Sequence, residues 1–329
     1  MWKSVVKSFA DRTFKMSVLN IRRSKGVITE NRSCYKCSGT NDEILVEKLG
    51  SITTIGINQP HKRNCINQAT AAKLSQAILE FEEDDSAVVG VLHGIGGNFC
   101  AGYDLEELSG FGTDMKLDNK AGHGPMGPTR RMIKKPMVAA ISGYAVAGGM
   151  ELALMCDLRV MEETAVMGVF CRRFGVPLMD GGTVRLQALV GLSRALDLIL
   201  TGRALNAQEA YEWGLANRLV ACGTGLGQAI NLATSLVKFP QGCMQADRVS
   251  AYNSAFSASS FEDALEFEKD NATPIVLQIT GGVENAVPLH IDFPCTSGRG
   301  SDLPFEGVLQ EYLQLPPRHC PTPQIKDCV

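Results

Sequence analysis

The stretch that most constrains this chain runs from Met137 to Asp157, MVAAISGYAVAGGMELALMCD. Its first part is an apolar, β-branched run that ends at Ser142-Gly143. The pair Gly148-Gly149 then opens a second segment, whose apolar residues recur at helical spacing. The pattern predicts a strand, a turn and a helix in direct succession.

Glu151 falls in the first turn of this predicted helix. A carboxylate there lies near the free N–H groups and the positive end of the helix dipole, which favours its ionised form and suits it to act as a base. Gly148 has no Cβ, so its backbone N–H can approach a developing negative charge closely. The alternative is that Glu151 is only a favourable charge in the first turn of the helix and that the glycines only form a tight turn. The segment alone leaves both open, because Gly-rich strand-to-helix turns serve many folds.

The residues before this stretch alternate between strand and helix patterns. Two β-rich runs, 44–49 and 52–57, flank Gly50-Ser51 and predict a hairpin. Asn67 is placed to cap a helix that continues to about Phe81. The short apolar run 88–92 is typical of a strand buried on both faces. The alternation predicts an α/β domain.

A second loop with candidate chemistry is GIGGNFCAGYDLEELSG, residues 94–110. Tyr103-Asp104 leads into a short predicted helix, so the backbone N–H of Tyr103 can project into a pocket as a second donor. Residues 110–127 are glycine-rich and weakly periodic, as expected of a mobile loop over a site. We interpret His123 in that loop as a solvated side chain rather than a catalyst, because nothing nearby in the sequence orients it.

The composition excludes several classes of protein. With 329 residues, 45% hydrophobic and 20% charged, the chain has an ordinary globular composition, and no apolar run approaches the ~18 residues of a membrane helix. A net charge of −3 gives no sign of a nucleic-acid surface. The eleven cysteines form no disulfide-like framework, which favours a reducing compartment. We interpret Cys34-x-x-Cys37 as coincidental, because a lone pair lacks the second pair of a zinc site.

Both ends of the chain differ from its middle. Residues 1–40 carry nine Lys/Arg against two acids, a balance similar to that of a mitochondrial transit peptide, which predicts the mitochondrial matrix. The alternative is a disordered basic tail or a mis-assigned start, with a cytoplasmic protein. Residues 287–329 are punctuated by seven prolines and predict a disordered tail. Before that tail, amphipathic patterns predict helices at 186–190, 195–200, 207–213, 226–237 and 261–270.

Three motifs carry a family resemblance: GYD at 102–104, KKPMVAAISGYAVAGGMELALMCD from Lys134, and GGTVRL from Gly181. Together with their spacing, they resemble the crotonase (enoyl-CoA hydratase/isomerase) superfamily over about residues 44–286. The resemblance implies an α/β spiral of ββα units with a helical C-terminal region, assembled as homotrimers or dimers of trimers. It also implies action on acyl-CoA thioesters of fatty acid metabolism, with no metal and no bound cofactor, and with coenzyme A arriving as part of the substrate.

By position, the resemblance assigns the two oxyanion-hole donors to the backbone N–H groups of Tyr103 and Gly148. Both would point at the thioester oxygen and stabilise an enolate, each contributing roughly 10²–10³ in rate. Tyr103 stands where many hydratases have alanine. Because the backbone supplies the hydrogen bond, we expect the bulky side chain to narrow the acyl pocket without removing the donor.

The coenzyme A turn of the family matches QPHKRN, residues 59–64. Lys62 and Arg63 are the natural partners for adenosine or pyrophosphate oxygens. The alternative is that both are solvated turn charges. The same resemblance places Cys65 and Ala101 along the path of the adenine and pantetheine groups.

The second catalytic position departs from the family. The hydratases use two glutamates; the first matches Glu151, but the second position holds Cys171, whose reference pKa near 8.5 makes it a poor base for water. Three alternatives remain: Glu151 acts alone in an isomerase or decarboxylase-like reaction; Asp180 enters the site from the neighbouring loop; or Cys171 is reactive because Arg172 and Arg173 lower its pKa. We favour Glu151 with help from Asp180. The different-class alternative is a non-catalytic, acyl-CoA-binding protein of the same fold.

Overall fold

The fold is taken from a computed structural model that describes residues 42–110 and 123–280. The expected leader at 1–40 and the expected tail at 287–329 therefore lie outside the described residues. The strands are β1 Ile44–Leu49, β2 Ile52–Ile57, β3 Val89–Gly94, β4 Met137–Ile141, β5 Tyr144–Val146, β6 Leu158–Glu162, β7 Val166–Gly168, β8 Leu205–Asn206 and β9 Arg218–Val220. The helices are α1 Gln68–Glu83, α2 Leu105–Gly110, α3 Gly148–Met155, α4 Gly182–Val190, α5 Leu192–Thr201, α6 Ala207–Glu212, α7 Gly225–Val237, α8 Gln241–Phe256 and α9 Phe261–Thr280. Of these helices, none has both the length and the hydropathy needed to cross a membrane.

The main sheet has six strands in the order β1-β2-β3-β4-β6-β9. β1 and β2 form the predicted hairpin, with Ile44 opposite Ile57 and Leu49 opposite Ile52. Gly50 turns the chain between them at φ 61°, a backbone conformation that glycine adopts without strain. All other neighbours in this sheet are parallel, as expected when each strand returns through a crossover. The prediction of an α/β domain is confirmed.

A second sheet of three strands, β5-β7-β8, was not predicted. β5 occupies residues where the sequence predicts only a turn, and it pairs in parallel with β7. Strands of two or three residues are too short to show an alternating pattern. This small sheet carries the chain directly to the first residue of α3.

The helices follow the sequence prediction up to residue 237. The Asn67 side chain caps α1 by accepting a hydrogen bond from the Thr70 N–H, and Asn206 caps α6 in the same way. Two predictions beyond that point are wrong. Helix α8 was missed, since its polar residues give only a weak apolar stripe, and α9 continues ten residues past its predicted end through Pro274.

Both faces of the main sheet are covered. On one face, helix α7 buries Ala229 and Ala233 against Val89, Val91 and other valines of the strands. The larger core lies on the other face and includes α1, α3 and α4. Every residue of α3 is buried, so Glu151, the charged side chain on this helix, is largely shielded from bulk water.

Candidate active site

Glu151 lies in the first turn of α3, as predicted, and only 3% of its surface is exposed. Its Oε1 atom accepts two backbone hydrogen bonds, from the N–H of Asp180 at 2.9 Å and from the N–H of Gly182 at 2.8 Å. Its other oxygen, Oε2, has no hydrogen-bond partner among the described residues. The carboxylate is therefore fixed through one oxygen and has the other free for a proton.

Glycine is required at position 182. A Cβ built there would lie 2.9 Å from both Cγ and Oε1 of Glu151, closer than carbon atoms pack. The same bare backbone starts α4, so a single residue opens the helix and donates to the buried acid. The GGTVRL motif therefore positions the carboxylate of a different helix.

The environment raises the pKa of Glu151 to about 7. Burial is the largest cause, and the negative charge of Asp180 is the second; the two backbone hydrogen bonds oppose them without cancelling them. The prediction that the helix N-terminus favours the ionised form is wrong in its net effect, because the sequence shows the position in the helix and not the depth of burial. A carboxyl group with a pKa near neutrality can both accept and return a proton.

Asp180 is also buried, at 3% exposure. Its Oδ1 atom accepts hydrogen bonds from the N–H of Met126, at 3.0 Å, and from the hydroxyl of Thr129. Burial raises the pKa of this carboxyl group as well. The backbone N–H of Asp180 thus contacts Glu151, while the Asp180 carboxylate is held by Met126 and Thr129.

The sequence analysis missed Met126 and Thr129. Met126 lies within the glycine-rich segment 110–127 that was predicted to be mobile and Thr129 follows it, yet both are buried, and Gly124 and Gly127 pair through two backbone hydrogen bonds. Residues 126–129 are therefore packed into the core; residues 111–122 lie outside the described part. The signal was the GPMGPT pattern, since its glycines and prolines mark a specific turn rather than a flexible segment.

Cys171 lies in a short 3₁₀ helix, Phe170–Phe174, half-buried against the core. Burial is the main cause that raises the pKa of its thiol, and the nearby charge of Glu151 is the second. The idea that Arg172 and Arg173 lower this pKa is wrong in its net effect. Arg172 donates to the carbonyl of Ile199, and the guanidinium of Arg173 lies over the Phe170 ring, so neither is directed at the thiol.

The two candidate oxyanion donors lie on adjoining turns. Ile66 bonds with Gly102 and Asp104, on either side of Tyr103, so the N–H of Tyr103 is directed away from that pairing. Gly148 is the first residue of α3, where the backbone N–H has no partner within the helix. A Cβ on Gly102, at φ 99°, would lie 3.1 Å from the Gly148 nitrogen, which shows how closely the two turns approach.

The side chain of Tyr103 is held to one side. Its hydroxyl donates to Glu107, in the first turn of α2, and Glu107 also accepts from the N–H of Gln68 at the start of α1. The phenol therefore joins two helices near the turn that bears the backbone donor. This arrangement is compatible with the prediction that the hole survives a bulky residue at position 103.

The basic turn lies beside these donors. Pro60–Lys62 form a 3₁₀ turn, and the Arg63 carbonyl accepts from the N–H of Ala101 at 3.1 Å. Cys65 is half-buried next to them, while the Arg63 side chain is exposed. The Lys62 ammonium is paired with Asp104 at 2.9 Å, a contact that the sequence did not predict. The predicted coenzyme A residues are therefore brought together.

Across residues 42–110 and 123–280, no group of three or more His, Cys, Asp or Glu side chains is arranged to hold a metal ion.

The chain is similar to proteins of one family. Residues 47–279 match the family model described as enoyl-CoA hydratase/isomerase. A probable enoyl-CoA hydratase of Mycobacterium bovis is 32% identical over 232 residues, covering 70% of this chain and 88% of the relative. A probable mitochondrial enoyl-CoA hydratase of Dictyostelium discoideum is 30% identical over 225 residues, covering 68% and 79%. The crystal structure of an enoyl-CoA hydratase from Mycobacterium tuberculosis superposes with a TM-score of 0.66 at 34% identity, covering 71% of this chain and 90% of that one.

Proposed function

The chain belongs to the enoyl-CoA hydratase/isomerase family, whose members process acyl-CoA thioesters, and from this membership we propose that it forms and reprotonates a thioester enolate. Glu151 is the proposed acid and base. The backbone N–H groups of Tyr103 and Gly148 are the proposed donors to the thioester oxygen. The observation that carries this proposal is the buried Glu151 carboxyl group, with its pKa raised to about 7, three residues from one donor in the same helix.

The proposed step begins when Glu151 removes a proton from the carbon next to the thioester carbonyl. The electron pair moves onto the carbonyl oxygen, where the two backbone donors stabilise the negative charge. Protonated Glu151 then returns the proton to carbon. Return to a different carbon of an unsaturated acyl chain is an isomerisation, and it requires only one carboxyl group.

Asp180 has a supporting part in this proposal. Its side chain is occupied by Met126 and Thr129, so its main effect on Glu151 is electrostatic: its charge raises the pKa of the base. A base whose pKa is near the working pH exchanges protons with carbon more efficiently than one that is always ionised.

Cys171 favours isomerisation over hydration as the main reaction. The thiol faces the charge of Glu151, and its raised pKa keeps it protonated at neutral pH. It can therefore not serve as the second carboxylate that orients and deprotonates water. Hydration is the second candidate, because the relatives are named enoyl-CoA hydratases. A decarboxylase-like reaction is the third candidate, because it also needs an oxyanion hole to stabilise the enolate.

We propose that Lys62 and Arg63 bind the phosphates of coenzyme A, with Cys65 and Ala101 beside its path. All four lie next to the Tyr103 turn, so the thioester end of the ligand would approach the donors from this side. Asp104 holds Lys62 in place until a phosphate competes for the ammonium group. No bound cofactor is proposed.

We also propose that the chain assembles as a homotrimer or a dimer of trimers. Leu192, Leu196 and Leu200 recur every four residues on α5 and are 60%, 39% and 67% exposed, a stripe of apolar surface that a second copy would cover. The proposed compartment is the mitochondrial matrix, on the basis of the basic residues at 1–40 and of the relative named mitochondrial; the cytoplasm is the alternative.

The experiment that tests the function is a screen of the purified full-length chain against 2-enoyl-CoA and 3-enoyl-CoA thioesters, measuring turnover and binding separately. The proposal predicts binding of both classes and faster double-bond migration than hydration. Binding without turnover of any thioester would support the non-catalytic alternative.

A further inference from the structure

A cavity of about 390 Å³ lies next to the carboxyl pair without including it. Met179 and Gly181, the two neighbours of Asp180, form part of its wall, whereas Asp180 and Glu151 do not. None of the residues assigned above to the oxyanion hole or to coenzyme A lines it. The cavity is therefore a separate space that shares one wall with the proposed active site.

Four arginines line this cavity: Arg130, Arg131, Arg185 and Arg248. Two of them are paired with a carboxylate. Arg131 lies 2.6 Å from Glu82, and Arg248 lies 2.7 Å from Asp157. In a protein with a net charge of −3, four guanidinium groups around one cavity are a local concentration of positive charge.

The other two arginines hydrogen-bond only to backbone carbonyls among the described residues. Arg130 donates to Met179 at 2.7 Å. Arg185 donates to Asp180 at 3.0 Å and to Thr129 at 2.6 Å. Carbonyl groups position a guanidinium but do not neutralise it; the carboxylates of Asp180 and Glu151 act on these arginines electrostatically, yet neither forms an ion pair with them among the described residues.

Several guanidinium nitrogens also lack a hydrogen bond. Nε and one terminal nitrogen of Arg131, and one terminal nitrogen of Arg248, are buried with no partner among the described residues. The Arg248 side chain is only 10% exposed. A buried donor without an acceptor is unfavourable, and its usual explanation is a bound water, ion or ligand.

Apart from Thr129 and Thr183, the rest of the wall is mostly apolar. Ile133 and Met155 are buried, Leu178 is half-buried, and the rings of Tyr252 and Phe256 come from α8. Charged donors beside such a surface suit a ligand with an anionic head and an apolar body. The volume is within the range of small-molecule sites.

We propose that this cavity binds an organic carboxylate with an apolar chain, the head held by the arginines and the chain lying on the apolar wall. Arginine forks match the planar carboxylate with two parallel hydrogen bonds. The carboxylate has two possible sources, a free acid or the far end of an acyl group carried by coenzyme A. Neither source is part of the function proposed above, which uses the thioester end alone.

Calorimetric titration of the full-length chain with hexanoate tests the proposal, with 1-hexanol as the neutral ligand of the same length and inorganic phosphate as the anion without a chain. We expect hexanoate to bind at least tenfold more tightly than either. Equal binding of hexanol would show an apolar pocket only, and no hexanoate binding at millimolar concentration would overturn the proposal.

Two variants locate the binding. Arg130→Met keeps the apolar stem and removes the charge; Arg218→Met is its matched control, because Arg218 is also exposed and also donates to a backbone carbonyl at 2.7 Å. Arg248→Lys keeps a cation for Asp157 and removes the arginine fork. We expect hexanoate affinity to fall at least fivefold in Arg130→Met and Arg248→Lys, with unchanged melting temperatures and no change in Arg218→Met. Equal affinity in all three variants would contradict the proposal.

The source is decided by a further titration with adipoyl-CoA and hexanoyl-CoA. If the carboxylate belongs to an acyl group, Arg130→Met weakens adipoyl-CoA binding and spares hexanoyl-CoA. If it is a free acid, hexanoate binds equally well in the presence of hexanoyl-CoA. If the parent chain binds hexanoate but turns over no enoyl-CoA thioester, the proposed function is refuted and the carboxylate site is retained.

Discussion

The two ends of the proposed site, the Glu151–Asp180 pair and the basic turn at 59–64, are held by different forces. The pair is buried and fixed by backbone N–H groups and by a glycine that admits no side chain. In the basic turn, residues 60–63 are exposed, and the Lys62 ammonium is held by one partly exposed ion pair. Backbone contacts in a packed core tolerate no change, whereas an exposed ion pair typically contributes about 0–1 kcal/mol.

This difference indicates that the two ends of the site have different roles. The buried end sets the proton chemistry, because burial and a neighbouring charge determine the pKa of Glu151. The exposed end provides charge for a flexible ligand that leaves after each turnover. Changes at the first end should therefore have larger effects than changes at the second.

Gly182→Ala should have the largest effect. The new Cβ would lie 2.9 Å from Glu151, so the carboxylate or the start of α4 must move. We expect a loss of about 1–3 kcal/mol in the free energy of unfolding, by the usual cost of overpacking, and at least a hundredfold loss of turnover. Gly227→Ala is the matched control, because a Cβ there meets nothing within 4 Å. Equal behaviour of the two variants would show that the close approach has no role.

The second largest effect should be on the pH dependence of the free energy of unfolding, through the raised pKa of Glu151. The pKa of Glu151 is raised from 4.5 to about 7, so the folded state holds a proton that the unfolded state releases earlier. This contribution is fully present below pH 4.5 and is lost as the pH rises to about 7, a fall of about 3 kcal/mol. Urea unfolding of the parent and of Glu151→Gln across pH 4.5–8 measures it. The variant should lack this part of the slope, and parallel curves would contradict the assigned pKa.

Cys171→Glu should have a smaller effect, in the opposite direction. The new carboxyl group would lie close to the charge of Glu151 and half-buried, so its pKa should also be raised and it can take a proton from water. We expect crotonyl-CoA hydration to increase about tenfold, less than the roughly 10²–10⁴-fold of a well-positioned general base. Cys222→Glu, at an exposed cysteine, is the control. No gain at position 171 would show that the second catalytic position lies elsewhere.

Changing the basic turn should have the smallest effect. Lys62→Ala with Arg63→Ala should weaken acyl-CoA binding about fivefold, since exposed charges contribute little, and should leave a short thioester without coenzyme A unaffected. Lys73→Ala is the control, because Lys73 is a similarly exposed partner of an ion pair with Glu43. Equal losses for both ligands would place coenzyme A on a different path.

Much of the fold could be predicted from the sequence because its signals are local. The hairpin, α1 and α3 follow from turn residues, a cap and apolar periodicity. The short strands β5 and β7 and the polar helix α8 could not be predicted, since two or three residues show no period and α8 has little apolar stripe.

The sequence motifs identify several candidate site residues but not the energetics of those residues. The motifs located Glu151, Gly148 and Tyr103, but the pKa of Glu151 depends on burial and on Asp180, 29 residues away. The directions of Arg172 and Arg173 depend on the end of α5, which lies close only after folding. Long-range contacts of this kind leave no pattern in the neighbouring sequence.

The central claim is that Glu151 moves the proton of an enolate that the Tyr103 and Gly148 backbone stabilises. Exchange of the α-proton of a saturated acyl-CoA with deuterated water, followed by NMR, tests it without reference to the final product. The account predicts that Glu151→Gln slows this exchange by about 10²–10⁴ and leaves acyl-CoA affinity nearly unchanged, because the amide fills the same space and takes no proton. Exchange at the parental rate in Glu151→Gln would contradict it.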